Sequence, residues 1–138
     1  MKIKDCRLIS ISEKGDDRGR LMVVEGSKDI PFNIQRIFYI CETVNGVSRG
    51  NHANKKSSFF FLSIKGSCKI KVFDGEDYRE FILEETSEGL YVPKNLWKSM
   101  YDFSKDSILL VFSDENYNDE EYIRDINEYI KFTQTLTL

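Results

Sequence analysis

The chain reads as an all-β sandwich or closed barrel that finishes in one amphipathic helix. Short stretches rich in Ile, Val, Phe and Tyr recur along it, and tight-turn signals fall between them. The hydrophobic period changes from two to helical spacing only near the C-terminus. The 138 residues fit a single domain, 1–138, large enough to bury one core.

The strand segments are RLISIS (7–12), RLMVVEG (20–26), IQRIFYICET (34–43), SSFFFLSIK (57–65), CKIKVFD (68–74), YREFILEE (78–85), GLYVP (89–93), KSMYDFS (98–104) and SILLVFS (107–113). About nine short strands in one small domain require a sandwich or a barrel. Reversals are expected at VNGV, KGS, DGED and SKDS, where Asn-Gly and Asp-Gly supply the positive φ of tight turns. In CKIKVF, Lys69 and Lys71 alternate with Ile70 and Val72, giving one wet and one dry face. The spacing of Tyr122, Ile123, Ile126, Tyr129 and Ile130 predicts a helix over 118–133, opened by a capping box of Asn118 and Glu121.

Apolar residues make up 41% and aromatics 13%, which excludes a disordered chain. The net charge is −3 with both signs mixed, so neither nucleic acid nor an anionic membrane is the expected partner. Cys6, Cys41 and Cys68 match no disulfide or zinc pattern and read as small core fillers in a reducing compartment. The start has no apolar signal segment and no run is long enough to span a membrane, so a cytoplasmic protein is expected.

His52 is the only histidine, set in the polar stretch RGNHAN just before SSFFFLSI. If this stretch is extended, His52 and Asn54 share a face. Paired imidazoles at that spacing suit a metal, but Asn54 is no such ligand, so no metal and no cofactor is expected. The chain has no G-x-S-x-G elbow and no Gly-rich phosphate loop. Two readings of His52 remain: a surface or hydrogen-bonded histidine in a hairpin connection, or an acid–base group at a strand entrance. Arg18, Arg36 and Arg49 each lie at or beside a strand segment. They are either solvated outer-face charges or bidentate donors to an anion.

The blocks DDRGRLMVVE, IPFNIQRIFYI, RGNHANKK, GSCKIKVFDG, GLYVPKNLWKSMYDFSKDSILLVFS and YNDEEYIRD occur in an order that resembles the dTDP-4-keto-6-deoxyglucose 3,4-ketoisomerase family of cupins. The resemblance implies a cupin jelly roll (a double-stranded β-helix), a homodimer built partly by exchanged N-terminal strands, and a metal-free site in the barrel mouth. It implies a dTDP-linked 4-keto-6-deoxyhexose as substrate, made for surface polysaccharide. A base removes the proton on carbon 3, an enediol forms, and protonation at carbon 4 leaves the ketone at carbon 3. The developing oxyanion needs a donor or cation beside it.

The family motif R-G-x-H-A-H places His52 as principal proton carrier and Asn54 where the second histidine stands. Asn54 hydrogen-bonds but does not titrate usefully. Lys98 follows Trp97 where a histidine is frequent, and Phe59 occupies a position where glutamine is common. A dry Lys98 would have a lowered pKa or would stabilise an enediolate; a wet one would sit at the rim. The same matching makes Arg18, Arg36 and Arg49 diphosphate ligands, with Tyr39 and Tyr101 lining the sugar pocket or stacking on the base. With Asn54 in place of a histidine, two other readings stay open: a non-catalytic nucleotide-sugar-binding cupin, and a relative with epimerase-like chemistry at carbon 3.

Overall fold

The computed structural model describes residues 1–84 and 88–136. After a 3₁₀ turn at Ile3–Asp5, the chain forms β1 (Arg7–Ser10), β2 (Ser12–Glu13), β3 (Met22–Val23), β4 (Arg36–Ile40), β5 (Arg49–Asn54) and β6 (Phe59–Lys65). β7 (Cys68–Phe73), β8 (Tyr78–Leu83), β9 (Glu88–Val92), β10 (Trp97–Tyr101), β11 (Ile108–Ser113), β12 (Tyr122–Ile123) and α1 (Ile126–Thr135) follow. Two antiparallel five-stranded sheets face each other, ordered β1-β9-β6-β11-β4 and β12-β5-β10-β7-β8, and β2 with β3 makes a separate ribbon. This is the jelly-roll architecture of the cupins.

The inner core joins both sheets: Phe59, Phe61, Leu90, Val92, Leu109 and Val111 from one meet Ile70, Val72, Phe81, Leu83 and Met100 from the other. Ile70 and Val72 are fully buried while Lys71 is exposed, as the alternation in β7 predicts. The FFFL run of β6 does not alternate, because its sheet is covered on both faces. Phe60, Leu62 and Phe112 point away from the inner core and are covered by Ile11, Ile30 and Phe32 of the N-terminal segment.

RGNHAN, which lies outside the expected strand segments, is strand β5, paired with both β10 and β12. The helix begins at Ile126, not at 118. Asn118 instead caps a 3₁₀ turn, Asp119–Glu121, by accepting from the Glu120 N–H at 3.1 Å. Tyr122 and Ile123 then go extended and pair with Asn54 and Ala53, and Asp125 caps α1 through the Glu128 N–H at 2.9 Å. Apolar residues at 122 and 123 suit a helix face or a strand end alike. The carboxylate of Glu121, bonded into the barrel, selects the strand.

α1 lies on the outer face of the second sheet, where Tyr129 is fully buried with Ala53, Phe73 and Ile123. Its hydroxyl donates toward the carbonyls of Phe73 (3.1 Å) and Asn95 (2.8 Å). Cys6 and Cys68 fill the core as expected, and burial pushes both thiols up to about 12. Cys41 is exposed, since it lies just past the end of β4. Among the described residues no helix is long and apolar enough to cross a membrane.

Tyr129→Phe removes the one donor that ties α1 to two barrel carbonyls. It should cost about 1–3 kcal/mol, read in urea as a lower midpoint at unchanged slope.

Candidate functional site

A cleft of about 440 Å³ opens between the sheets, bordered by Arg36, Tyr39, Arg49, His52, Phe59, Lys98, Tyr117 and Tyr122. Local chain chemistry aims the imidazole. The β5–β10 register shifts between Lys98 and Ser99, so that Lys98 faces His52, Ser99 faces Gly50, and Asn51 is the extra residue of a bulge. Gly50 and Asn51 have φ of 82° and 57°. These are the two residue types that reach the left-handed region at least cost. A Cβ on Gly50 would also lie 3.1 Å from the Lys98 carbonyl oxygen and 3.2 Å from Met100 Sδ. Asn51 is tied down by accepting from Ser99 Oγ at 2.8 Å and donating to Ser48 Oγ at 3.1 Å.

His52 packs against the Tyr122 ring, with centroids 4.8 Å apart. Burial pushes its pKa down to about 4, and the Lys98 charge adds to that, against a hydrogen bond with the Gly50 backbone that pulls it up. The imidazole is therefore neutral at pH 7 and ready to accept a proton.

Lys98, on β10, is buried. Its Nζ donates to Asn54 Oδ1 at 2.9 Å and stands 4.5 Å from the centre of the Phe59 ring. Burial pushes its pKa down to about 7, and the nearby Glu121 charge opposes the fall. Glu121 is itself buried. Burial alone would raise its carboxyl pKa, but hydrogen bonds from Ser57 and from the Lys56 N–H outweigh that and hold it below the usual range. Its Oε1 accepts from the Lys56 and Ser57 N–H groups at 3.0 and 2.8 Å, and its Oε2 from Ser57 Oγ.

Arg36, on β4, stacks its guanidinium between the rings of Phe38, Phe59 and Tyr117, at 5.5, 5.8 and 5.7 Å. Its only hydrogen bond is a long one to Ser113 Oγ (3.5 Å), its buried Nε has no partner, and no carboxylate pairs with it among the described residues. A half-buried cation without a counter-charge is set to receive an anion. Tyr39 is largely exposed at the cleft edge, and Arg49 is exposed at its rim. The described residues hold no cluster of His, Cys, Asp or Glu able to bind a metal.

The structure thus gathers His52, Asn54, Lys98, Arg36, Arg49 and Tyr39. It does not bring Tyr101 or Arg18 to the cleft of the same chain. On β10, Lys98 and Met100 point inward, so Tyr101 points outward, where its hydroxyl meets Glu80. Arg18 lies in the exposed connection between β2 and β3, paired with Asp16 at 2.6 Å. Glu121, Tyr117 and Tyr122 escape sequence reasoning. Glu121 carries a helix-start signature, and the tyrosines look like core residues.

Residues 4–134 match the family model described as "FdtA: WxcM-like, C-terminal". The chain belongs to this family. It is 34% identical over 132 residues to the TDP-4-oxo-6-deoxy-alpha-D-glucose-3,4-oxoisomerase of Aneurinibacillus thermoaerophilus, covering 96% of this chain and 95% of that one. A 3,4-ketoisomerase from Helicobacter canadensis superimposes with a TM-score of 0.91 at 38% identity, over 94% of this chain and 98% of its own. A histidine-to-asparagine mutant of the 3,4-ketoisomerase QdtA from Thermoanaerobacterium thermosaccharolyticum, in complex with TDP-4-keto-6-deoxyglucose, gives 0.91 at 32% identity over 95% of each chain.

Because His52 is the only histidine, a single imidazole resonance should titrate, with its midpoint near 4 and not 6.5. Lys98→Met removes the neighbouring charge and should move that midpoint upward; an unchanged midpoint would show that the two groups do not interact.

Proposed function

We propose that this protein is a sugar-nucleotide 3,4-ketoisomerase. Its substrate is a dTDP-linked 4-keto-6-deoxyhexose, and its product serves surface-polysaccharide sugar synthesis in the cytoplasm. One observation carries the reading. An imidazole and a buried ammonium leave facing positions of β5 and β10 into one cleft, beside a guanidinium with no carboxylate partner among the described residues.

The diphosphate is the anion for Arg36, joined by Arg49 at the rim, and the exposed Tyr39 ring offers a surface for the sugar or base. His52 takes the proton from carbon 3, which the neighbouring ketone acidifies, and returns one to carbon 4. Lys98 faces the oxygen where negative charge develops. Carbon 3 is oxidised as carbon 4 is reduced, so no outside electron acceptor is consumed.

The working form in this reading is a homodimer. β4 is a sheet edge that exposes Ile37 and Tyr39, and the ribbon of β2 and β3 is hydrogen-bonded to neither sheet and exposes Leu21 and Arg18. Exchange of the N-terminal strands would cover such surfaces and is the route by which Arg18 would reach a partner's diphosphate.

Incubated in heavy water with dTDP-4-keto-6-deoxyglucose, the protein should yield the 3-keto product carrying deuterium at carbon 4, and His52→Asn should abolish that exchange. Thymidine diphosphate binding with no exchange would leave a binding module; exchange at carbon 3 with the ketone still at carbon 4 would indicate an epimerase. Arg36→Ala should weaken thymidine diphosphate binding roughly tenfold or more, in a salt-dependent way, as expected for a lost charge-assisted contact. Equal affinity would remove Arg36 from the diphosphate site.

A further inference from the structure

We propose that Lys98 is a second proton carrier, passing a proton between the oxygens on carbons 4 and 3 while His52 moves the carbon-bound one. The inference rests on the ketoisomerase reading above and divides that chemistry between two groups.

Register supplies the first support. Lys98 and His52 are direct cross-strand partners on neighbouring strands, and both border the cleft. The second support is how Nζ is held. An ammonium has three donor positions. One is spent on Asn54 Oδ1 at 2.9 Å, and the Phe59 face takes another side at 4.5 Å. One donor is left for a sugar oxygen. Asn54 cannot carry a proton itself, so it acts as a positioning residue, fixing by its carbonyl oxygen the amine that does.

The surroundings make this amine fit for transfer in both directions. β5 presents His52 and Asn54 to it, β4 presents Arg36, β6 the uncharged Phe59 ring, and β7 the apolar Val72. The turn before β12 presents Glu121. Cys6, ahead of β1, is a neutral thiol because burial holds its proton up to about 12. Burial lowers the lysine pKa and the Arg36 charge adds to that, while Glu121 opposes it, leaving the group at about 7. Near that pH the charged and neutral forms coexist, which is the condition for efficient acid and base catalysis by one residue.

The steps balance. His52 takes the carbon 3 proton as the carbon 3 electron pair forms the double bond to carbon 4, and Lys98 gives a proton to the carbon 4 oxygen. Neutral Lys98 then takes the proton from the carbon 3 hydroxyl as its carbonyl forms, and the double-bond pair takes at carbon 4 a proton from His52, whose N–H exchanges with water in between. Both side chains return to their starting states.

The test is the pH dependence of kcat/KM for the full-length protein and for Lys98→Met, Lys98→Arg and Glu121→Gln, with dTDP-4-keto-6-deoxyglucose as substrate and thymidine diphosphate affinity as the control for an intact fold. The wild type should lose kcat/KM as pH rises through about 7. Lys98→Met should fall by roughly 100-fold or more and lack that limb. Lys98→Arg should fall comparably, because a guanidinium keeps the charge but does not give up its proton. Glu121→Gln should shift the limb to lower pH, since it removes the charge that raises the lysine pKa. Activity of Lys98→Arg within a few-fold of wild type, or a limb near 7 that survives in Lys98→Met, overturns the inference and leaves the ketoisomerase reading standing. A wild type that binds thymidine diphosphate but isomerises nothing sinks that reading, and the inference with it.

Discussion

The cleft is organised around an ammonium group buried where no carboxylate among the described residues touches it. Taking such a charge out of water costs several kcal/mol unless something replaces its hydration. Around Lys98 the replacements are partial: one amide oxygen, one aromatic face and the field of a carboxylate one shell away. Partial compensation leaves the proton loosely held. A full salt bridge would have fixed it, and an apolar wall would have removed it.

Distant parts of the chain keep that balance. Glu121 is anchored by two backbone N–H groups and a hydroxyl of the Lys56–Ser57 turn, which ties the C-terminal segment to the entrance of β6. β12 completes the second sheet beside Asn54 and brings Tyr122 against His52. The N-terminal segment covers the outer face of β6, letting three successive phenylalanines be buried, and Phe59 offers its ring to both Lys98 and Arg36. The floor of the cleft is buried because β6 behind it is packed on both sides.

Much of this was legible in the residues. The alternation in CKIKVF foretold the inner and outer faces of β7, and the resemblance of RGNHAN and GLYVPKNLW to a cupin family placed His52, Asn54 and Lys98 together. Tyr101 was separable on parity alone. It lies three residues from Lys98, and on one strand an odd spacing puts the two on opposite faces. Gly50 and Asn51 also carried a hint, since adjacent residues tolerant of positive φ mark a bulge. Glu121 and Tyr122 were not legible. Acidic residues before an apolar pair describe a helix start as well as a strand end, and only tertiary hydrogen bonds decide between them. Cys41 misled for a simpler reason: small apolar character says nothing about where a strand stops.

The environment of Lys98 brings its proton affinity close to neutrality. The most direct measurement is the titration of its side-chain amine in the folded protein by carbon-13 and nitrogen-15 NMR, assigned with Lys98→Met. A midpoint at about 7 is expected. A midpoint near the ordinary lysine value of about 10.4 would contradict it, because the amine would then be a fixed charge in a wet cleft.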